Sequence, residues 1–139
     1  MSRRLDDEAI RCLALFEEVT GVDAVDCLID DEHDRVVIVV APGMLADAIG
    51  HEGQTVKRVE QRLNRDVHLV EFADTPEDLI ANSLRPAAVY EVEIDTDGVA
   101  RVEVADGDRG VAIGTNGRTI ELARSLARRH FDVDGVHLA

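Results

Sequence analysis

Ala48-Ile49-Gly50-His51-Glu52-Gly53-Gln54-Thr55-Val56 and Ala112-Ile113-Gly114-Thr115-Asn116-Gly117-Arg118-Thr119-Ile120 are one stretch written twice, 64 residues apart in a chain of 139. Alanine, isoleucine, both glycines and threonine return at the same places, and further on Arg65 returns as Arg129. The apolar residues Val56, Val59 and Leu63 become Ile120, Ala123 and Ala127, so one helical face stays apolar in both copies. Agreement of this extent at one offset marks an internal repeat. A glycine pair between two helical patterns marks a tight connection inside each copy.

Outward from these stretches the two halves read alike. In the first, residues 5–19 carry Leu5, Ala9, Ile10, Leu13 and Phe16 at helical spacing, with Asp6, Asp7 and Glu8 where the positive end of the helix dipole favours acids. Strands are expected over 22–29 and 35–40, joined by an acidic turn at 30–34. Pro42 and Gly43 break the second of these. A short helix over 44–49, a longer one over 53–64 and a strand over 66–72 complete the unit. In the second half Thr75 and Pro76 start a helix over 76–84. Strands over 88–94 and 99–104 flank the turn Asp95-Thr96-Asp97-Gly98. A short helix ending near 113, a longer one over 117–130 and a strand over 133–138 follow. The expectation is an α+β chain of two domains, 1–73 and 74–139, each a three-stranded sheet packed against three helices.

Composition narrows the chemistry. Hydrophobic residues make up 45 % of the chain but aromatic ones only 3 %, so Val, Ile, Leu and Ala must fill the cores and stacking on aromatic rings is not the expected mode of recognition. The net charge of -14 argues against a phosphate-bearing partner unless the acidity belongs to the surface as a whole. Lys57 is the only lysine, and carboxylates occur in every segment. Such a pattern suits a halophilic cytoplasm, where salt screens the mutual repulsion of the acids. Cys12 and Cys27 lack metal-ligand spacing and read as reduced thiols. No stretch is apolar enough for a membrane span, and residues 1–11 lack the apolar core of a signal peptide, so a soluble cytoplasmic protein is expected.

Several chemistries are set aside. A dinucleotide site places its glycines between a strand and a helix, whereas these lie between two helices. The turn at 95–98 opens like a calcium loop but has Asp106 where the twelfth-position glutamate is needed. The five histidines show no ligand spacing, and no serine or cysteine stands in a nucleophile motif. Neither enzyme nor metal site nor cofactor is expected, and no small-molecule substrate.

What the glycine loops offer is access. Glycine lacks the Cβ that keeps a sugar-phosphate chain off the backbone, and the helix that begins at each loop presents free N–H groups suited to phosphate. Basic residues gather nearby: Lys57, Arg58, Arg62 and Arg65 after the first loop, and Arg109, Arg118, Arg124, Arg128 and Arg129 around the second. These are nine of the 15 lysines and arginines.

The order helix, strand, strand, helix, two-glycine loop, helix, strand, twice in tandem, resembles type II KH domains, and the two quoted stretches carry the likeness. With the ending Ala127-Arg128-Arg129-His130-Phe131, the whole chain resembles the archaeal NusA-like transcription termination/antitermination factors. The resemblance implies binding of single-stranded RNA during transcription elongation and termination, with RNA polymerase as a further candidate partner. By the same resemblance each loop clamps the backbone of about four nucleotides while bases lie along an apolar groove. The candidate RNA-binding residues are then Ile49, Gly50, His51, Glu52, Gly53, Gln54, Lys57 and Arg58 in the first domain, and Ile113, Gly114, Thr115, Asn116, Gly117 and Arg118 in the second. Glu52 departs from the neutral or basic residue expected there, which ranks the second clamp above the first. The alternative reading is a KH-fold adaptor for protein interaction or ribosome assembly that binds RNA weakly or not at all.

Overall fold

The computed structural model describes residues 6–139, and the chain divides into two compact units, the first ending at Phe72 and the second beginning at Ala73. Leu5, placed by its spacing in the first helix, lies outside the described residues.

In the first unit α1 (Asp7–Thr20) is followed by β1 (Ala24–Asp30), β2 (Arg35–Val40), α2 (Leu45–Ile49), α3 (Gln54–Leu63) and β3 (Asp66–Glu71). The sheet has the order β1-β2-β3, with β1 antiparallel and β3 parallel to the central β2. Asp6 caps α1 by accepting the Ala9 N–H at 2.8 Å, and Gly21 ends it in the left-handed conformation. Helical spacing in α1 and alternation in β2 send Phe16, Val36, Ile38 and Val40 into one core, which Ala48 and Val59 close from the helices flanking the glycine loop. The acidic turn holds itself together. Asp30 accepts the His33 N–H and pairs with Arg35 Nε at 3.0 Å, its partner across the hairpin.

The second unit repeats the plan: α4 (Pro76–Ser83), β4 (Val89–Ile94), β5 (Val99–Val104), α5 (Arg109–Ile113), α6 (Arg118–Phe131) and β6 (Gly135–Leu138), with sheet order β4-β5-β6. Thr75 caps α4 through the Asp78 N–H, with Pro76 in the first turn. Asp95 accepts the N–H groups of Asp97 and Val99, so the calcium-like segment is a self-contained hairpin turn. The core uses Ile80, Ala100, Val102, Ala112, Ile120, Ala123, Ala127 and Val136. Ile80 thus takes the part of Phe16 at the same offset that links the loops.

Two strands start later than their apolar patterns suggest. Val22 is buried, yet its N–H bonds to Thr20 Oγ1 and that of Ala24 to Glu17 Oε2, so the segment is tied to α1 before the ladder begins. Val133 likewise donates to the Ala127 carbonyl and Asp134 to that of Gly98. The first strand of each unit carries an irregularity at its start, which leaves Val25 and Tyr90 out of register and exposed. Among the described residues no helix is long and apolar enough to cross a membrane.

Candidate nucleic-acid interface

The helix pairs α2/α3 and α5/α6 are each joined by four residues with nearly the same backbone. Gly50 has φ 79° and ψ 175°, Gly114 φ 79° and ψ 169°, an extended conformation at positive φ open in practice only to glycine. Glu52 (φ 54°) and Asn116 (φ 55°) are left-handed, as are Gly53 (φ 75°) and Gly117 (φ 76°). Two consecutive left-handed residues turn the chain back so that the next helix begins at once. Neither α3 nor α6 has a side chain capping its first turn; the first amide of each, Gln54 and Arg118, donates to the loop carbonyl of His51 and Thr115, and the amides that follow have no side-chain acceptor.

The two glycines of each loop do different work. A Cβ on Gly50 would lie against the Thr55 hydroxyl and 2.8 Å from the Thr55 amide nitrogen. One on Gly114 would meet Thr119 in the same way, 2.9 Å from its nitrogen. The first glycine is therefore demanded by the chain's own packing, whereas the sequence reading gave both to ligand access. Gly53 and Gly117 are the open ones. A Cβ there would meet only the Lys57 Cε at 4.0 Å in the first loop, and the Glu121 carboxylate at 3.5 Å in the second.

The predicted residues surround these loops. Ile49 and Ile113 are the last residues of α2 and α5 and are exposed, at 38 % and 43 %, so that an apolar side chain stands beside each polar turn. His51, Glu52, Thr115 and Asn116 are exposed at the loop tips, and His51 Nε2 lies 3.3 Å from Glu52 Oε1. Gln54, Lys57 and Arg58 are exposed along the start of α3, and Arg118 opens α6.

The nine clustered cations prove unequal. Arg65 is committed to Glu8 and Asp31 at 3.0 and 3.2 Å. Arg109, Arg124 and Arg128 donate to the backbone carbonyls of Ala139, Val136 and Asp134, holding the last strand and its approach in place. Arg118 and Arg129 are not free either. Among the described residues, Lys57, Arg58 and Arg62 keep their charge outside any ion pair, all three on the exposed side of α3. Sequence reasoning also missed Glu121 and Val111. Val111 is exposed two residues before Ile113 and widens the apolar margin of the second loop. Glu121 was within reach, since the repeat offset sets it opposite Lys57.

Family models match both halves of the chain: a KH domain over residues 13–72 and a NusA-like second KH domain over 76–138. A curated protein of Halococcus morrhuae named "Probable transcription termination protein NusA" is 55 % identical over 137 residues, 97 % of each chain. The chain belongs to the NusA family. A NusA protein of the same description from Halobacterium salinarum is 51 % identical over 99 % of both chains. The solved structure "Crystal structure of APE1850" matches with a TM-score of 0.85 at 26 % identity, covering 97 % of this chain and 100 % of that one. Membership brings the two-glycine loops into a KH setting in both units of this NusA-like chain. The relatives from Halococcus and Halobacterium also give its acidic composition a halophilic context.

Proposed function

We propose that this NusA-like chain is an RNA-binding transcription termination factor whose two glycine loops hold the backbone of single-stranded RNA. It acts by binding and not by catalysis. The observation that carries the reading is the shared loop geometry. In each unit an open glycine, an uncapped helix start and an exposed isoleucine lie within a few residues of one another. Phosphate oxygens accept from the amides of the helix start, while Ile49 and Ile113 offer apolar contact to bases. Clamping through main-chain donors explains how a chain of net charge -14 takes a polyanion, because the donors are built into the fold and do not depend on net charge. The names of the relatives support the link to termination, and RNA polymerase is the natural second partner for such a factor.

The test is titration of a short single-stranded RNA into the full chain at molar KCl, with Thr115→Asp/Asn116→Asp as the comparison. Both positions are exposed, and asparagine and aspartate alike tolerate the left-handed conformation of residue 116. Binding by the parent chain and a lower affinity in the variant, at unchanged thermal stability, is the expected result. Equal affinity removes the clamp at the second loop, and absence of binding by the parent favours an adaptor without RNA.

A further inference from the structure

The two loops agree in backbone and differ in what stands over their open glycine. Lys57 and Glu121 occupy the same position, four residues after the second glycine, on the first exposed turn of α3 and α6. Each is the side chain that a Cβ on that glycine would meet, through Lys57 Cε at 4.0 Å and through Glu121 Oε1 at 3.5 Å. The only lysine of the chain and a carboxylate thus hold equivalent places beside the surface a backbone phosphate would use.

Building on the clamp reading above, the geometry points to an inverted ranking of the two clamps for phosphate. Lys57 supplies a neutralising charge at the first loop, the second has no cation at that position, and the first clamp carries most of the salt-dependent part of RNA binding. Glu52 does not reverse this. Its carboxylate lies beside His51 at 3.3 Å and projects into solvent at the loop tip, while the lysine stem lies over the glycine itself. Salt sharpens the distinction. At molar ionic strength the screening length is about 3 Å, so a charge in contact with the phosphate counts and one a turn further along the helix counts for little. Arg62, on the same exposed side of α3 and more than one turn beyond Lys57, is the natural control.

The experiment is RNA titration of the full chain over a range of KCl concentrations, reading both affinity and the slope of log K against log salt. Lys57→Gln is expected to lower affinity by about five-fold, the worth of one unit-charge contact in water-like surroundings. It should also make the slope shallower by about 0.7, the share of one neutralised phosphate on a single strand. Arg62→Gln is expected to change affinity less than two-fold on the same screening argument. Among the loop tips, His51→Asp should weaken binding more than Thr115→Asp. Circular dichroism confirms that each variant is folded, and Lys57→Arg, which keeps the charge, should keep the slope.

Equal effects of Lys57→Gln and Arg62→Gln would reduce Lys57 to net charge and overturn the assignment. So would an unchanged slope in Lys57→Gln, or a larger loss from Thr115→Asp than from His51→Asp. In each of those outcomes the loop variants still act and the clamp reading stands. If neither loop-tip variant changes affinity, the clamp reading itself fails and the ranking falls with it.

Discussion

Gly50 is packed against Thr55, with room for a hydrogen but not for a methyl group between position 50 and the Thr55 amide nitrogen, which an added Cβ would approach to 2.8 Å. Gly114 and Thr119 repeat the arrangement at 2.9 Å. The threonine that recurs in both copies is the wall against which the loop's first glycine rests. Gly50→Ala and Gly114→Ala should each cost about 2–5 kcal/mol, combining a backbone conformation foreign to alanine with overpacking. Gly53→Ala and Gly117→Ala should cost only the roughly 1–2 kcal/mol of left-handed strain. Urea titrations of the four variants check this, and equal losses at both glycines would contradict the packing described.

Arg65 is a structural cation. Its guanidinium joins Glu8 at the start of α1 to Asp31 in the hairpin turn, contacts 57 and 34 residues apart in the chain. Arg65→Gln should lower stability by about 1 kcal/mol or less, as is usual for ion pairs near the surface, and leave RNA affinity unchanged. A several-fold loss of affinity at equal stability would place Arg65 in the interface.

With 29 acidic and 15 basic residues, stability should rise steeply with salt. At 0.1 M the screening length is about 10 Å and neighbouring carboxylates repel one another, whereas at 1 M it is about 3 Å and most of that repulsion is gone. Thermal melts followed by circular dichroism at 0.1 M and 2 M KCl should differ clearly in midpoint. Coincident midpoints would sink the halophilic account of the charge.

Cys12 and Cys27 are buried thiols outside any disulfide. Burial, with the Glu8 carboxylate adding to it, pushes the Cys12 thiol above its ordinary 9.0. A group whose folded pKa is raised contributes stability that is fully present below the unfolded value and lost as pH rises through the folded one. The parent chain should therefore lose more stability between pH 9.0 and the raised pKa than Cys12→Ala does over the same interval. Denaturant titrations across that range measure the difference, and parallel pH profiles would remove Cys12 as its source.

The sequence by itself determined the order of elements, the repeat and the position of both loops. All of these rest on local regularities: helical and alternating spacing, turn residues, and an offset that maps one unit onto the other. Even the pairing of Phe16 with Ile80 as core residues follows from that offset. What it did not determine is which basic residues are available. Arg65, Arg109, Arg124 and Arg128 look like Lys57, Arg58 and Arg62 in the chain, yet the first four are bound to partners within their own units. A long flexible side chain takes the acceptor that the fold brings near, and an acceptor 30 or 57 residues away leaves no mark on local spacing. The division of labour between the two glycines was hidden for the same reason. Both are equally permissive as residues, but only the folded backbone sets Thr55 against Gly50 and leaves Gly53 beneath Lys57.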